Sequence, residues 1–184
     1  VNHSELQQAI ICLTEGKIIA YPTESVFGLG CDPFNEHAVT QLLGLKRRDK
    51  TKGLILIASD WTQINPLVLP LSEEQKARVN DTWEEPTTWL LPASKKAPPW
   101  ITGNHANIAI RLTQHPIART LCQLYNKPIV STSANISGSA PAKTIAEVKD
   151  YFDSHLCFIL PGELGSLEKP TQIRDFVSGK IIRE

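Results

Sequence analysis

Apolar positions along the chain fall into two spacings that alternate from end to end. Helical spacing runs through residues 4–14, where Leu6, Ile10 and Leu13 share one face. Ser4 and Gln7 stand at capping-box spacing before it, and Gly16 closes it. KIIAY at 17–21 is a short apolar strand. Asn35 then caps a helix carrying Ala38, Val39, Leu42, Leu43 and Leu45, and LILIA at 54–58 is a second strand. Ser72 and Gln75 open a helix predicted to end near Trp83, followed by a strand at 88–91. Residues 107–113 alternate strictly. Ile108, Ile110 and Leu112 face one way, and Asn107, Ala109, Arg111 and Thr113 face the other. His115-Pro116 starts a helix with Pro at its first position, and 128–130 is a strand. Thr144 and Glu147 form a further capping box before a helix to about Phe152. A strand at 157–160 follows. Segments 172–176 and 180–183 flank Val177-Ser178-Gly179 as a terminal hairpin.

This interleaving predicts an α/β fold, a single domain over 1–184 with a twisted mixed sheet flanked by helices. The hairpin and the 107–113 alternation make the sheet mixed rather than wholly parallel. The Pro-rich stretches 66–70 and 92–99 read as loops, not domain boundaries.

Composition narrows the class. Of 184 residues, 41% are hydrophobic and 21% charged, as in a folded chain rather than a disordered one. No apolar run reaches the ~20 residues that span a bilayer. Nor does the chain open on a basic-then-apolar leader. The reading is a cytoplasmic protein without a membrane segment. Lys plus Arg number 19 and Asp plus Glu number 19, so net charge does not mark a nucleic-acid binder, although a local patch still can. Cys12, Cys31, Cys122 and Cys157 form no CxxC pair and lack zinc-finger His spacing. They are expected to be free thiols, with no disulfide and no structural zinc.

In open α/β sheets ligands gather beyond the carboxyl ends of strands. After KIIAY come Pro22-Thr23-Glu24-Ser25 and then Gly28-Leu29-Gly30-Cys31-Asp32. After the second helix come Lys46-Arg47-Arg48, and after PIV comes STSAN. Hydroxyls, an amide and positive charge at such junctions suit a phosphate-bearing ligand. Each piece has a plainer reading. The cations suit a solvated helix end, the two glycines suit turns, and STSAN suits a strand leaving the core through a turn. GK[ST], HExxH and the dinucleotide GxGxxG are all absent, and Ser133 has no evident base partner.

Taken together, YPTESVFGLGCD at 21–32, Lys46-x-Arg48 and STSANISG at 131–138 resemble the linked motifs of the Sua5/YciO/YrdC family, in its short YrdC-like form. The resemblance covers nearly the whole chain. It implies a YrdC-like α/β fold around a positively lined cavity. The implied reaction is a nucleotidyl transfer: L-threonine, bicarbonate and ATP, with Mg²⁺, give threonylcarbamoyl-adenylate and pyrophosphate. The implied use is the t6A modification of tRNAs that read ANN codons, through a downstream threonylcarbamoyl transferase complex. The family tetrad falls on Lys46, Arg48, Ser133 and Asn135 as catalytic residues. Lys46 would supply a point charge and Arg48 a phosphate fork, while Ser133 and Asn135 would donate to phosphate or carbamate oxygens. Thr23 and Thr88 match threonine-pocket positions and Arg111 a ligand-facing Arg; Ser131, Lys52 and Thr171 complete the expected lining.

The chain departs from the family pattern at Asp49, at Lys52-Gly53 and at Glu85-Pro86-Thr87-Thr88. Two other readings stay open. One is a non-catalytic module for tRNA or double-stranded RNA, suggested by the basic stretch 46–52, Lys95-Lys96 and an exposed-looking Trp100. The other is a YciO-type or carbamoyl-transfer paralogue.

Overall fold

The structure is a computed structural model that describes residues 1–80 and 86–183. Nine strands form one mixed sheet: β1 (Ile19–Pro22), β2 (Phe27–Gly30), β3 (Ile55–Ala58), β4 (Thr87–Pro92), β5 (Asn107–Leu112), β6 (Ile129–Ser133), β7 (Phe158–Ile159), β8 (Gln172–Asp175) and β9 (Ile181–Arg183). Their order across the sheet is β7-β1-β2-β6-β3-β5-β4-β8-β9. β1/β7, β3/β5 and β4/β8 are parallel pairs; the others are antiparallel. The helices are α1 (His3–Thr14), α2 (Glu36–Lys46), α3 (Trp61–Ile64), α4 (Glu73–Asn80), α5 (Pro99–Thr102), α6 (Pro116–Tyr125) and α7 (Ile145–Phe152). The expected end of the third helix near Trp83, and Glu85, lie outside the described residues.

Strand parity divides the side chains between two faces, because successive residues point opposite ways. One face is largely apolar. Ala20, Leu29, Val130, Leu56, Ala58, Ile108, Ile110, Trp89 and Leu91 pack there with Val39, Leu42 and Leu43 of α2, Ile101 of α5, and Val148 and Phe152 of α7. The other face is split. At one end Ile19, Tyr21, Ile57 and Ile129 are covered by Leu6, Ala9, Cys12 and Leu13 of α1 and by Ala118, Leu121, Cys122 and Tyr125 of α6. Beyond that cover the same face turns polar. The register sets Ser131 beside Ile55, Ser133 beside Gly28, and Arg111 beside Ile57. The site described below lies on this uncovered half.

Local signals formed the elements they predict. Asn35 Oδ1 accepts from Ala38 N, Ser72 and Gln75 exchange reciprocal bonds, and so do Thr144 and Glu147. His115 caps α6 ahead of Pro116, and β8 and β9 form the terminal hairpin. At α1 the capping box is Asn2 with Glu5, two residues earlier than Ser4 with Gln7, because Asn2 brings a side-chain oxygen to the N-cap position.

Three expectations need correction. Gly28 and Gly30 are not turn glycines: they belong to β2, buried between β1 and β6. A Cβ on Gly30 would sit 2.6 Å from the Val130 carbonyl and 2.7 Å from the Tyr21 ring, so glycine is there for close packing. The four cysteines are not all free. Cys12 and Cys157 are disulfide-bonded across 145 residues, while Cys31 and Cys122 are buried free thiols. The bond forms because β7 pairs with β1 beneath α1, a long-range contact that sequence spacing does not report. Finally, Trp100 is half-buried, packs against the core and donates Nε1–H to the Pro33 carbonyl at 2.9 Å, so it is not an exposed stacking platform.

Candidate functional site

The uncovered half-face holds a cavity of about 160 Å³. Its floor comes from Ser131 and Ser133 of β6, Ile55 of β3 and Arg111 of β5, with Thr132 between the two serines. One wall is the tip of the β1–β2 hairpin, Thr23, Glu24, Ser25 and Val26. The tip closes on itself through Thr23 N and Oγ1 to the Val26 carbonyl, at 3.1 and 2.6 Å. The opposite wall holds Arg48, which follows α2, with Thr171 and Arg183 flanking and ending the terminal hairpin. A second cavity of about 340 Å³ adjoins it, sharing Arg48, Leu54, Ile55 and Arg183 and adding Lys52, His105, Asn107, Ile173 and Ile182. It is the more apolar of the two in residue type.

Three guanidinium groups therefore face the first cavity. Each donates a hydrogen bond to protein, and Arg111 also lies beside Glu24. Arg48 Nη2 donates to the Gly53 carbonyl at 3.1 Å, Arg111 Nη1 to Thr171 Oγ1 at 2.9 Å, and Arg183 Nη2 to the Thr171 carbonyl at 3.1 Å. Burial lowers the Arg48 guanidinium, and burial with the Arg111 and Arg48 charges lowers Arg183. Mutual repulsion of this kind is relieved when an anion enters.

Lys46 is placed differently. It is 2% exposed and lies behind the cavity wall, not in its lining. Its ammonium donates to the Ser133 carbonyl at 2.5 Å, the Asn135 carbonyl at 2.7 Å and Asn135 Oδ1 at 3.1 Å. An ammonium has three protons, so all are committed. Arg47 at φ +50° ends α2 in the left-handed conformation, turning the chain so that Lys46 points inward while Arg48 reaches the cavity. The solvated-helix-end reading fails for both.

Asn135 Oδ1 must be the oxygen, since it receives the ammonium. The Ser133 hydroxyl therefore donates to it, at 2.6 Å, and Asn135 Nδ2 donates to the Ser139 carbonyl at 2.6 Å. Ser133 spends its hydroxyl proton, and Asn135 one of its two amide protons, inside the turn. In this arrangement Ser133 offers lone pairs to the cavity, while Asn135 holds the turn behind it.

Of the expected lining residues, Thr23, Arg48, Arg111, Ser131, Ser133 and Thr171 converge on the first cavity, and Lys52 lines the second. Thr88 is fully buried behind Thr171, their hydroxyls 3.3 Å apart. Arg183, Glu24 and Ser25 were missed as lining. Arg183 carries no local signal beyond its place at the hairpin's return, whereas Glu24 and Ser25 lie in the YPTES segment already singled out. Among the described residues no group of three or more His, Cys, Asp or Glu could hold a metal ion.

The chain is similar to known proteins over nearly all its length. The family model Sua5_yciO_yrdC, described as telomere recombination, matches residues 12–184. A Coxiella burnetii protein named threonylcarbamoyl-AMP synthase is 51% identical over 178 residues, covering 97% of this chain and 96% of its own. One of the same name from Photobacterium profundum is 47% identical over 181 residues, covering 97% and 98%. The crystal structure of P. abyssi Sua5 complexed with L-threonine superposes with a TM-score of 0.88 at 30% identity, over 95% of this chain. This chain spans about half of that Sua5, 52% of its length. E. coli YciO, at 23% identity and TM-score 0.85 over 100% of this chain and 90% of its own, shares the fold.

Proposed function

Because the chain belongs to the Sua5/YciO/YrdC family, we propose that it makes threonylcarbamoyl-AMP, the product for which its half-identical relatives are named. The observation that carries this reading is the convergence of Arg48, Arg111 and Arg183 with the Ser131 and Ser133 hydroxyls in one cavity.

The substrates are L-threonine, bicarbonate and ATP. The threonine ammonium and bicarbonate first give a carbamate, water and a proton. A carbamate oxygen then attacks the α-phosphorus, the bond to the bridging oxygen breaks, and pyrophosphate departs. Negative charge grows on the leaving group, so cations fixed in advance favour the transition state over the bound substrates. Arg48 and Arg183, at the join of the two cavities, suit the triphosphate, and the second cavity has room for the nucleoside. Arg111, deeper in the first cavity, suits the bidentate grip of a carboxylate such as that of threonine, with Thr23 and Thr171 beside it. Lys46 and Asn135 shape the turn that presents Ser133.

Mg²⁺ comes with the nucleotide, held mainly by phosphate oxygens and water. Ser133 Oγ, its proton committed to Asn135, and Ser131 Oγ are the hydroxyl oxygens that suit such an ion. The product serves the t6A modification of ANN-decoding tRNAs through a separate transferase complex in the cytoplasm. No helix among the described residues is long and apolar enough to cross a membrane. A pure RNA-binding module is disfavoured because Trp100 is packed and the three arginines line a cavity rather than an open stripe.

Pyrophosphate release from ATP and Mg²⁺ tests the reading. Release should require both L-threonine and bicarbonate. Release that ignores either one refutes it.

A further inference from the structure

Glu24 has no part in the reaction as set out above, yet it is the acidic side chain in a lining with three arginines. It is 5% exposed, at the tip of the β1–β2 hairpin. A carboxylate so placed needs partners. Glu24 Oε1 accepts the Thr113 hydroxyl at 2.7 Å, and Oε2 lies 3.3 Å from Arg111 Nη2. Burial alone would raise this carboxyl. The Arg111 charge and the Thr113 hydroxyl outweigh it and hold the group below the usual carboxylate range, so it stays charged.

The tip is built to keep Glu24 there. Gly165 N donates to the Thr23 carbonyl and Leu167 N to the Glu24 carbonyl, strapping the segment after β7 across the tip. A Cβ on Gly165 would meet the Glu24 backbone at 2.7 Å, so the strap approaches as closely as glycine permits. Thr113, the first residue after β5, is fixed in turn by His115 N, which donates to its hydroxyl at 3.3 Å.

Arg111 is thus held from two sides, by Thr171 Oγ1 on Nη1 and by Glu24 beside Nη2. Yet neither Arg111 Nε nor Glu24 Oε2 makes a hydrogen bond, and both are buried. Glu24 sets the plane of the guanidinium and offsets its repulsion from Arg48 and Arg183 without using up its fork. We infer that Glu24, clamped by Thr113, is the positioning residue that orients Arg111 toward the carboxylate of the amino-acid substrate. The inference rests on the reading that an amino acid is a substrate and that its carboxylate meets Arg111.

Steady-state pyrophosphate release by Glu24→Gln, with threonine and ATP varied separately, tests it. The amide keeps the size and can still accept from Thr113, but it lacks the charge. The KM for threonine should rise about 10–100-fold, as for loss of a charge-assisted contact, with the KM for ATP changed less than about threefold. Thr113→Val keeps the charge and removes the clamp, and it should shift the threonine KM in the same direction by a smaller factor. In an Arg111→Ala background, Glu24→Gln should add nothing further. A merely structural Glu24 would lower thermal stability, leave both KM values in place, and add its effect fully to that of Arg111→Ala; that result overturns the inference. If Glu24→Gln does not fold, Thr113→Val decides by the same ratio. Wild-type protein that releases no threonine-dependent pyrophosphate sinks the underlying reading, whereas an unchanged threonine KM in an active variant sinks the inference alone.

Discussion

Lys46 donates its ammonium to Asn135 twice, to the backbone carbonyl at 2.7 Å and to Oδ1 at 3.1 Å, across 89 residues of sequence. The contact ties the last residue of α2 to the turn after β6. Two segments that carry the family's motifs are thereby a single unit, and Ser133 is positioned by it.

Replacing Lys46 by Ala takes its ammonium from three acceptors: Asn135 Oδ1 keeps the Ser133 hydroxyl and the Ser133 carbonyl keeps Asn135 N, but the Asn135 carbonyl loses the ammonium at 2.7 Å. Each unsatisfied buried acceptor costs about 1–3 kcal/mol. The variant should lose ~10²-fold or more in kcat, as other preorganised sites do when their geometry is lost, and should also melt earlier. Pyrophosphate assays with a thermal melt of the same sample check both. Lost activity with an unchanged melting point would mean that Lys46 acts on substrate directly instead.

Burial, and after it the Arg48 charge, bring the Lys46 ammonium down to about 8. A lysine is charged below its pKa, so Lys46 gives up its charge and one of its three protons as pH rises past about 8, well before ordinary lysines at ~10.4. A ¹³Cε-lysine NMR titration should show a single lysine moving near pH 8, and that signal should be absent from Lys46→Arg. Titration of every lysine near 10 would contradict the buried placement.

Arg183 lines both cavities and its Nη2 is anchored on the Thr171 carbonyl. Arg183→Ala should raise the KM for ATP about tenfold or more, the size of a lost charge-assisted contact, with less effect on threonine. Separate titration of the two substrates reads this out. An equal effect on both would place Arg183 in general cavity shape, not in phosphate binding.

Cys12–Cys157 closes a loop of 145 residues, and neither cysteine lines the cavities. A loop of this length restricts the unfolded chain by up to ~5 kcal/mol, with measured bonds giving typically about 2–4. Reduction, or Cys157→Ser, should lower the melting temperature by on the order of 10 °C while leaving turnover unchanged. Mass spectrometry of the intact protein would confirm which state is being melted.

What the sequence revealed and what it hid divide along contact range. Asn35, the Ser72/Gln75 box, the Thr144/Glu147 box and His115-Pro116 act within a few residues, and each forms the helix start it predicts. The 107–113 alternation put Arg111 on the polar side because strand parity is local. β2 was hidden because Gly28 and Gly30 look like turn residues until Tyr21 and Val130 are packed against them. Lys46 looked like a solvated cation because its acceptors lie nearly ninety residues away. Arg183 and the disulfide were illegible for the same reason: one depends on where the terminal hairpin docks, β8 beside β4, and the other on β7 pairing with β1, and no local pattern encodes either contact. The motifs marked the segments that meet; the roles within them, above all which protons Ser133 and Asn135 have left to give, needed the geometry.

The most direct measurement is mass analysis of the nucleotide formed from ATP, Mg²⁺, L-threonine and ¹³C-bicarbonate. An adenylate should form that carries threonine and a single ¹³C atom in the carbamoyl group, and only when all three substrates are present. Conversion of ATP to unmodified AMP or ADP, or an adenylate without the label, would contradict the account.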